Sequence, residues 1–287
     1  MDNFPLLLEV SSLARGKSPF RFENMWLKDA GFVDRVAAWW SNYSFSGPTS
    51  LVLASKLKVL KEDLKKWNYH EFGNLCFKQQ QIFCELEVIH CKERQGGLSS
   101  TKRSHRESLL LELDKLAHLE ETSWRQKSRV LWLKKVNNNT KFFHKIANSN
   151  RRRNLMEKLE VGDSVFSSDS DIHKQAVQFY ESLYTEKEPW RPFVDDLQFS
   201  EIGDADRNML SSRFEKEEIF QVVKDLQGDK SPGPDGFTMP FFQKCWHVIE
   251  SDILGFFNEF FEKGTFAYSL NTTFVTLNPK KQNAINI

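Results

Sequence analysis

The feature that most constrains this chain is an apolar stripe. Leu53, Leu57, Leu60, Leu64 and Trp67 recur at alternating steps of four and three residues. A strand would need a period of two, so the spacing predicts a helix with one apolar face. The stripe resumes, one residue out of phase, at Phe72, Leu75, Ile82, Leu86 and Ile89. The run "QGGLSS" then predicts a break, because each glycine costs a helix interior about 1 kcal/mol. "SHRE" at Ser104 to Glu107 reads as a capping box opening a second helix, with Leu109, Leu113 and Leu116 on one face. An antiparallel helical hairpin is therefore expected over residues 49–119, its stripes serving as core or as a helix-helix seam.

The flanks add shorter elements. "FPLLLEV" and "FRFENMWL" read as two strands joined by a turn between Arg15 and Pro19. "LMEKLEVGDSVFSS" reads as a β-hairpin turning at Gly162. A helix is expected from Asp171 to Tyr184, with Ile172, Ala176, Phe179, Tyr180 and Leu183 inward. Another is expected from Lys216 to Gln227, closed by Gly228 as a left-handed cap. The run "SPGPDGF" alternates fixed and permissive backbone, which specifies a stiff, multiply turned loop with Asp235 as a turn former. Apolar helices follow from Pro240 to Gly264, and then a strand, "TTFVTLNPKK".

Hydrophobic residues at 40% and 25 phenylalanines supply material for a packed core. The net charge of +1 conceals a segregation. Residues 100–158 carry 15 Lys/Arg against 6 Asp/Glu, whereas residues 159–229 carry 7 against 17. The first stretch would attract phosphates and the second repel them. Four irregularly spaced cysteines imply free thiols and a reducing compartment, nuclear or cytoplasmic. No apolar run approaches the roughly 20 residues of a membrane span. Cys76, Cys84, His90 and Cys91 lack zinc-knuckle spacing, and Cys84 and Cys91 read as ordinary apolar positions. "GKS" at Gly16 to Ser18 lacks the leading glycine of a phosphate loop, since position 11 is Ser.

Several blocks resemble one family in its order: "PFRFENMWL" with "GFVDRVAAWW", "SWRQKSRVLWLK" with "NTKFFHKIANSNRRRN", "AVQFYESLYTE", and "GDKSPGPDGFTMPFFQKCW" with "SLNTTFVTLNPKK". They are similar to the middle of the polyprotein of plant LINE-type (non-LTR) retrotransposons, an endonuclease followed by a reverse transcriptase. The resemblance implies a mainly α fold with minor β (α+β), a long helical hairpin followed by part of the reverse-transcriptase fingers. It divides the chain into an endonuclease remnant (1–48), a helical hairpin linker (49–135), and an N-terminal extension with fingers but no palm (136–287).

The resemblance also implies where chemistry is absent. The family's last nuclease motif, Ser-Asp-His, aligns with Met1, Asp2 and Asn3, and an Asn amide cannot move a proton as the imidazole does. Nucleotide addition in the family uses Mg²⁺ held by palm carboxylates, including a Tyr-x-Asp-Asp hairpin that does not occur among these residues. Asp195 and Asp196 lie upstream of the Pro-Gly loop, on the wrong side for that hairpin. No catalytic residue, metal ligand or cofactor is therefore expected.

The candidate site is the basic, aromatic segment 132–154. Lys134, Lys135, Lys141, Lys145, Arg151, Arg152 and Arg153 are interleaved with Phe142, Phe143 and His144. Cations neutralise phosphates, and aromatic rings stack on unpaired bases at about 1–3 kcal/mol each. The competing reading makes Phe142, Phe143 and Ile146 helix core and the cations a solvated face. Lys280 and Lys281 match the family's Pro-Lys-Lys, a candidate fingers contact. Three functions follow: an inert polyprotein fragment that binds RNA or DNA weakly; a helical module that self-associates or docks through residues 49–119; or a piece of a longer, active RNA-directed DNA polymerase.

Overall fold

The computed structural model describes residues 19–96, 99–129, 140–154, 156–186, 188, 190–191, 198 and 200–273. The architecture is mainly α, with one small antiparallel hairpin among the described residues. A 3-10 turn (Asn24–Lys28) leads into α1 (Phe32–Asn42) and α2 (Thr49–Trp67), followed by α3 (Leu75–Gly96), α4 (Ser100–Ser128) and α5 (Thr140–Arg153). The hairpin β1 (Leu159–Val161) and β2 (Ser164–Phe166) precedes α6 (Asp169–Tyr184), α7 (Asp204–Leu210), α8 (Lys216–Asp225), α9 (Met239–Lys244) and α10 (Trp246–Lys263).

One aromatic core joins residues far apart in sequence. Phe22, Phe32, Leu60, Leu64, Phe241 and Ile249 are fully buried in it. Burial of each such side chain contributes about 1.5–3 kcal/mol. Phe22 meets Trp26 and Phe32 edge-on, and the Phe237 and Phe241 ring centroids lie 4.6 Å apart. The stripe of α2 therefore faces α10 and α1, not a second helix of its own hairpin. Polar clamps fix the arrangement: Trp40 donates its indole N–H to Asp252 of α10 at 2.7 Å, and Lys56 pairs with the same carboxylate at 2.9 Å.

The N-terminus of α2 has its cap supplied from another helix. Glu259 of α10, buried, accepts from the Ser50 backbone N–H and the Thr49 hydroxyl, both at 2.7 Å. The Ser50 N–H, ahead of the Thr49 hydroxyl, holds the Glu259 carboxyl down to about 2. A carboxylate at a helix N-terminus satisfies otherwise orphaned donors.

The hairpin consists of α3 and α4, and its seam is Ile82, Leu86 and Ile89 against Leu109 and Leu116. The phase slip in the stripe marks the end of α2. There a π-turn (Asn68–Phe72) and Gly73 at φ +74° redirect the chain, giving three helices where the sequence predicts two. Ser104 lies inside α4, which begins at Ser100 after Ser99, so "SHRE" opens nothing. The "FRFENMWL" segment is no strand. It pairs with no strand among the described residues, and its backbone hydrogen bonds go to a loop and to a side chain; its expected partner, "FPLLLEV", lies outside the described residues.

Gly162, at φ +60°, turns the β-hairpin as expected, and Gly264, at φ +65°, closes α10. Gly228 does not cap α8. The helix ends at Asp225, and the side-chain amide of Gln243 on α9 donates to the Val223 and Leu226 carbonyls instead, at 3.0 and 2.8 Å. Gly228 is needed because an added Cβ would meet the Pro240 ring at 2.8 Å. On α6 only Ile172 is buried, so the expected inner face at Phe179 and Leu183 is exposed. Cys76, Cys84 and Cys91 are all exposed, so Cys84 and Cys91 lie outside the core. The expected strand near residue 280 lies outside the described residues.

Candidate nucleic-acid interface

Three of the motif blocks converge at one place. The Pro-Gly loop reaches the segment at residue 20 because Gly236, at φ +81°, brings its backbone against it. An added Cβ there would sit 2.4 Å from the Phe20 carbonyl oxygen. The Phe22 N–H donates to the Gly236 carbonyl at 2.8 Å, and the Thr238 hydroxyl donates to Asn24 Oδ1 at 2.6 Å. From α4, the Gln126 side chain reads the same segment twice. Its amide donates to the Phe22 carbonyl at 2.7 Å, and its Oε1 accepts from the Asn24 N–H at 2.9 Å. Ser123 adds a hydrogen bond to Glu23 at 2.8 Å. "PFRFENMWL", "SWRQKSR" and "GDKSPGPDGF" thus form one hydrogen-bonded junction.

Burial in that loop pushes the Asp235 carboxyl above its usual range, against the pull of the Gly236 and Phe237 backbone N–H groups. The Gly236 and Phe237 backbone N–H groups that face the Asp235 carboxylate fit the turn-forming role expected of it.

A cavity of about 240 Å³ opens at the junction. Its lining includes five cations, Arg21, Arg125, Lys127, Arg129 and Lys230, against two carboxylates, Glu23 and Asp229. Glu23 lies 3.4 Å from Lys127. The surplus of positive charge attracts anions. Phe22 and Pro232 supply apolar wall. Arg129, which also lines the cavity, caps α4 in the left-handed region at φ +56°.

The described part of the basic segment forms α5, which packs along α4. The His144 ring lies tilted against Trp124 of α4, at 34° with centroids 3.4 Å apart, and the Asn150 side-chain amide donates to the Ser128 carbonyl at 3.5 Å. Both interactions bring α5 to the end of α4 that lines the cavity. Lys141, Lys145, Arg151 and Arg152 are exposed. Phe143 is only 2% exposed and packs as core, which leaves no ring face for a base. Phe142 and His144 are half-buried. Lys134, Lys135, Lys280 and Lys281, with Asp195 and Asp196, lie outside the described residues, as does the Arg153 side chain.

Sequence reasoning missed Arg21, Arg125, Lys127, Arg129 and Lys230. Each lies inside or one residue from a block that carries the resemblance, but only the fold brings those blocks together. Among the described residues no three His, Cys, Asp or Glu side chains are grouped to hold a metal ion. Burial pushes the Cys245 thiol up to about 12, so it is no nucleophile at neutral pH. No helix of the described residues is long and apolar enough to cross a membrane.

No protein-family profile matches the chain. It is 24% identical over 274 residues to the transposon TX1 uncharacterized 149 kDa protein of Xenopus laevis. The match covers 91% of this chain and 20% of that protein, so the chain spans about a fifth of the relative's length. The likeness is thus to part of a transposon protein.

Proposed function

We propose that the chain is the nucleic-acid-holding segment of a non-LTR retrotransposon polyprotein, running from the end of the endonuclease through a helical linker into the reverse-transcriptase fingers. On its own it joins no nucleotides. The similarity to a transposon protein and the order of the motif blocks support this placement. The observation that carries the binding role is the convergence of three blocks on a cavity with five cations in its lining, beside the exposed cations of α5. No metal-dependent step is assigned to these residues, because the Tyr-x-Asp-Asp motif of the resemblance is not among them.

In this reading Arg21, Arg129 and Lys230, with Lys141, Lys145, Arg151 and Arg152, hold phosphates along a single strand. Phe143 and Trp124 fix α5 on α4 so that the basic face keeps its position. The test is binding of fluorescent single-stranded RNA at several salt concentrations, together with primer extension in Mg²⁺. We expect salt-dependent binding and no extension. Salt-independent binding, no binding, or templated incorporation would refute the reading.

A further inference from the structure

We propose that the outer face of α3 is a homodimer seam, pairing in parallel and in register with α3 of a second copy. The helix has two apolar stripes. The inner one, Ile82, Leu86 and Ile89, packs on α4. The outer one is Phe77, Gln81, Cys84, Val88 and Cys91, which repeats at steps of four and three and lies on the far side of the helix from α4. All five side chains are exposed; Phe77 is 57% and Val88 53% accessible. Isolated apolar side chains on a surface need no explanation, whereas a heptad-spaced row of them does.

Charge selects the occupant. Glu85 pairs with His105 at 3.7 Å and Glu93 with Arg106 at 3.3 Å, both across the hairpin to α4. Glu87 and Lys92 make no ion pair among the described residues, and they flank opposite edges of the outer stripe. In a parallel, in-register pair of heptad helices, such flanking positions meet five residues apart between chains. Glu87 of one copy then faces Lys92 of the other, twice by symmetry. Gln81 falls on its own symmetry mate, where one polar residue in an apolar seam fixes register and pair formation. A head-to-tail pairing centred on Glu85 would instead bring Lys78 against Lys92 and Glu85 against itself. The seam is short, so the association is expected in the micromolar range or weaker.

The experiment is sedimentation of the full chain at increasing concentration, with cross-linking by a short bis-maleimide, each of whose two alkenes adds one thiol. We expect a concentration-dependent rise toward twice the 33.6 kDa chain mass. The Cys76→Ser/Cys84→Ser variant, left with Cys91 on the surface, should cross-link to itself, because Cys91 meets Cys91 only in the parallel register. The Cys84→Ser/Cys91→Ser variant, left with Cys76 at the edge, should cross-link far less. Val88→Lys should weaken dimerisation by about tenfold or more while leaving helical circular dichroism unchanged. Lys92→Glu should weaken it, and Glu87→Lys combined with Lys92→Glu should restore it. A monomer at all concentrations, a dimer without the Cys91 cross-link, or a dimer indifferent to Val88→Lys would overturn the proposal. Because RNA binding is read separately, failure here leaves the proposed function standing.

Discussion

Two helical regions with apolar faces differ in what holds them. The core of α1, α2, α9 and α10 buries its aromatic residues against partners more than two hundred positions away, as Phe22 against Phe241, and Phe22, Phe32 and Phe241 have no exposed surface. The α6 to α7 region, residues 169–210, carries Phe179, Leu183, Tyr184, Trp190, Met209 and Leu210 exposed. Both regions form helices with apolar faces. The difference is that the first has complementary elements to bury those faces and the second has none among the described residues. Amphipathic spacing forms a helix in either case, but stability follows only where non-local packing offsets chain entropy.

The comparison breaks most visibly at Phe241. Phe241→Ala removes a fully buried ring and should cost about 3–5 kcal/mol, read by urea denaturation. Gly236→Ala should cost about 2–5 kcal/mol in the same assay. It combines a left-handed backbone with a Cβ placed against the Phe20 carbonyl.

Acid should loosen the core further. The folded-state Glu259 carboxyl lies near 2, below the usual 4.5. Its contribution is complete above pH 4.5 and is lost as pH falls from there toward 2. A pH series of melting temperatures should show that decline, and Glu259→Gln should remove this component from it. At the other extreme, Leu183→Ala on exposed α6 should change stability by less than about 0.5 kcal/mol. A large loss there would mean that α6 is packed after all.

The sequence made the helices legible wherever apolar spacing was long and regular. The stripe of α2, the seam of α3 and α4, the turn at Gly162 and the end at Gly264 all have local causes. What was not legible has non-local ones. Gly228 looked like a helix cap because a glycine after a helix usually is one; its constraint is the Pro240 ring, and the cap comes from Gln243. "FRFENMWL" alternates like a strand, yet its backbone partners are Gly236 and Gln126, which spacing cannot reveal. In the site, the α5 cations were readable as a cluster. Arg21, Arg129 and Lys230 were not, since they are neighbours only after three separated blocks have joined. Phe143 shows the reverse limit: a basic-aromatic run does not disclose which ring is core.

The contrast extends to charge, because the junction and α5 are cationic while residues 159–229 are strongly acidic. The most direct test of the account is the salt dependence of single-stranded RNA binding by Arg129→Glu/Lys230→Glu, compared with Lys174→Glu on α6. The account predicts a shallower log-log slope for the double variant, by about 0.7 for each phosphate that is no longer neutralised, and an unchanged slope for the α6 variant. Equal slopes for all three proteins would contradict a nucleic-acid interface at the junction.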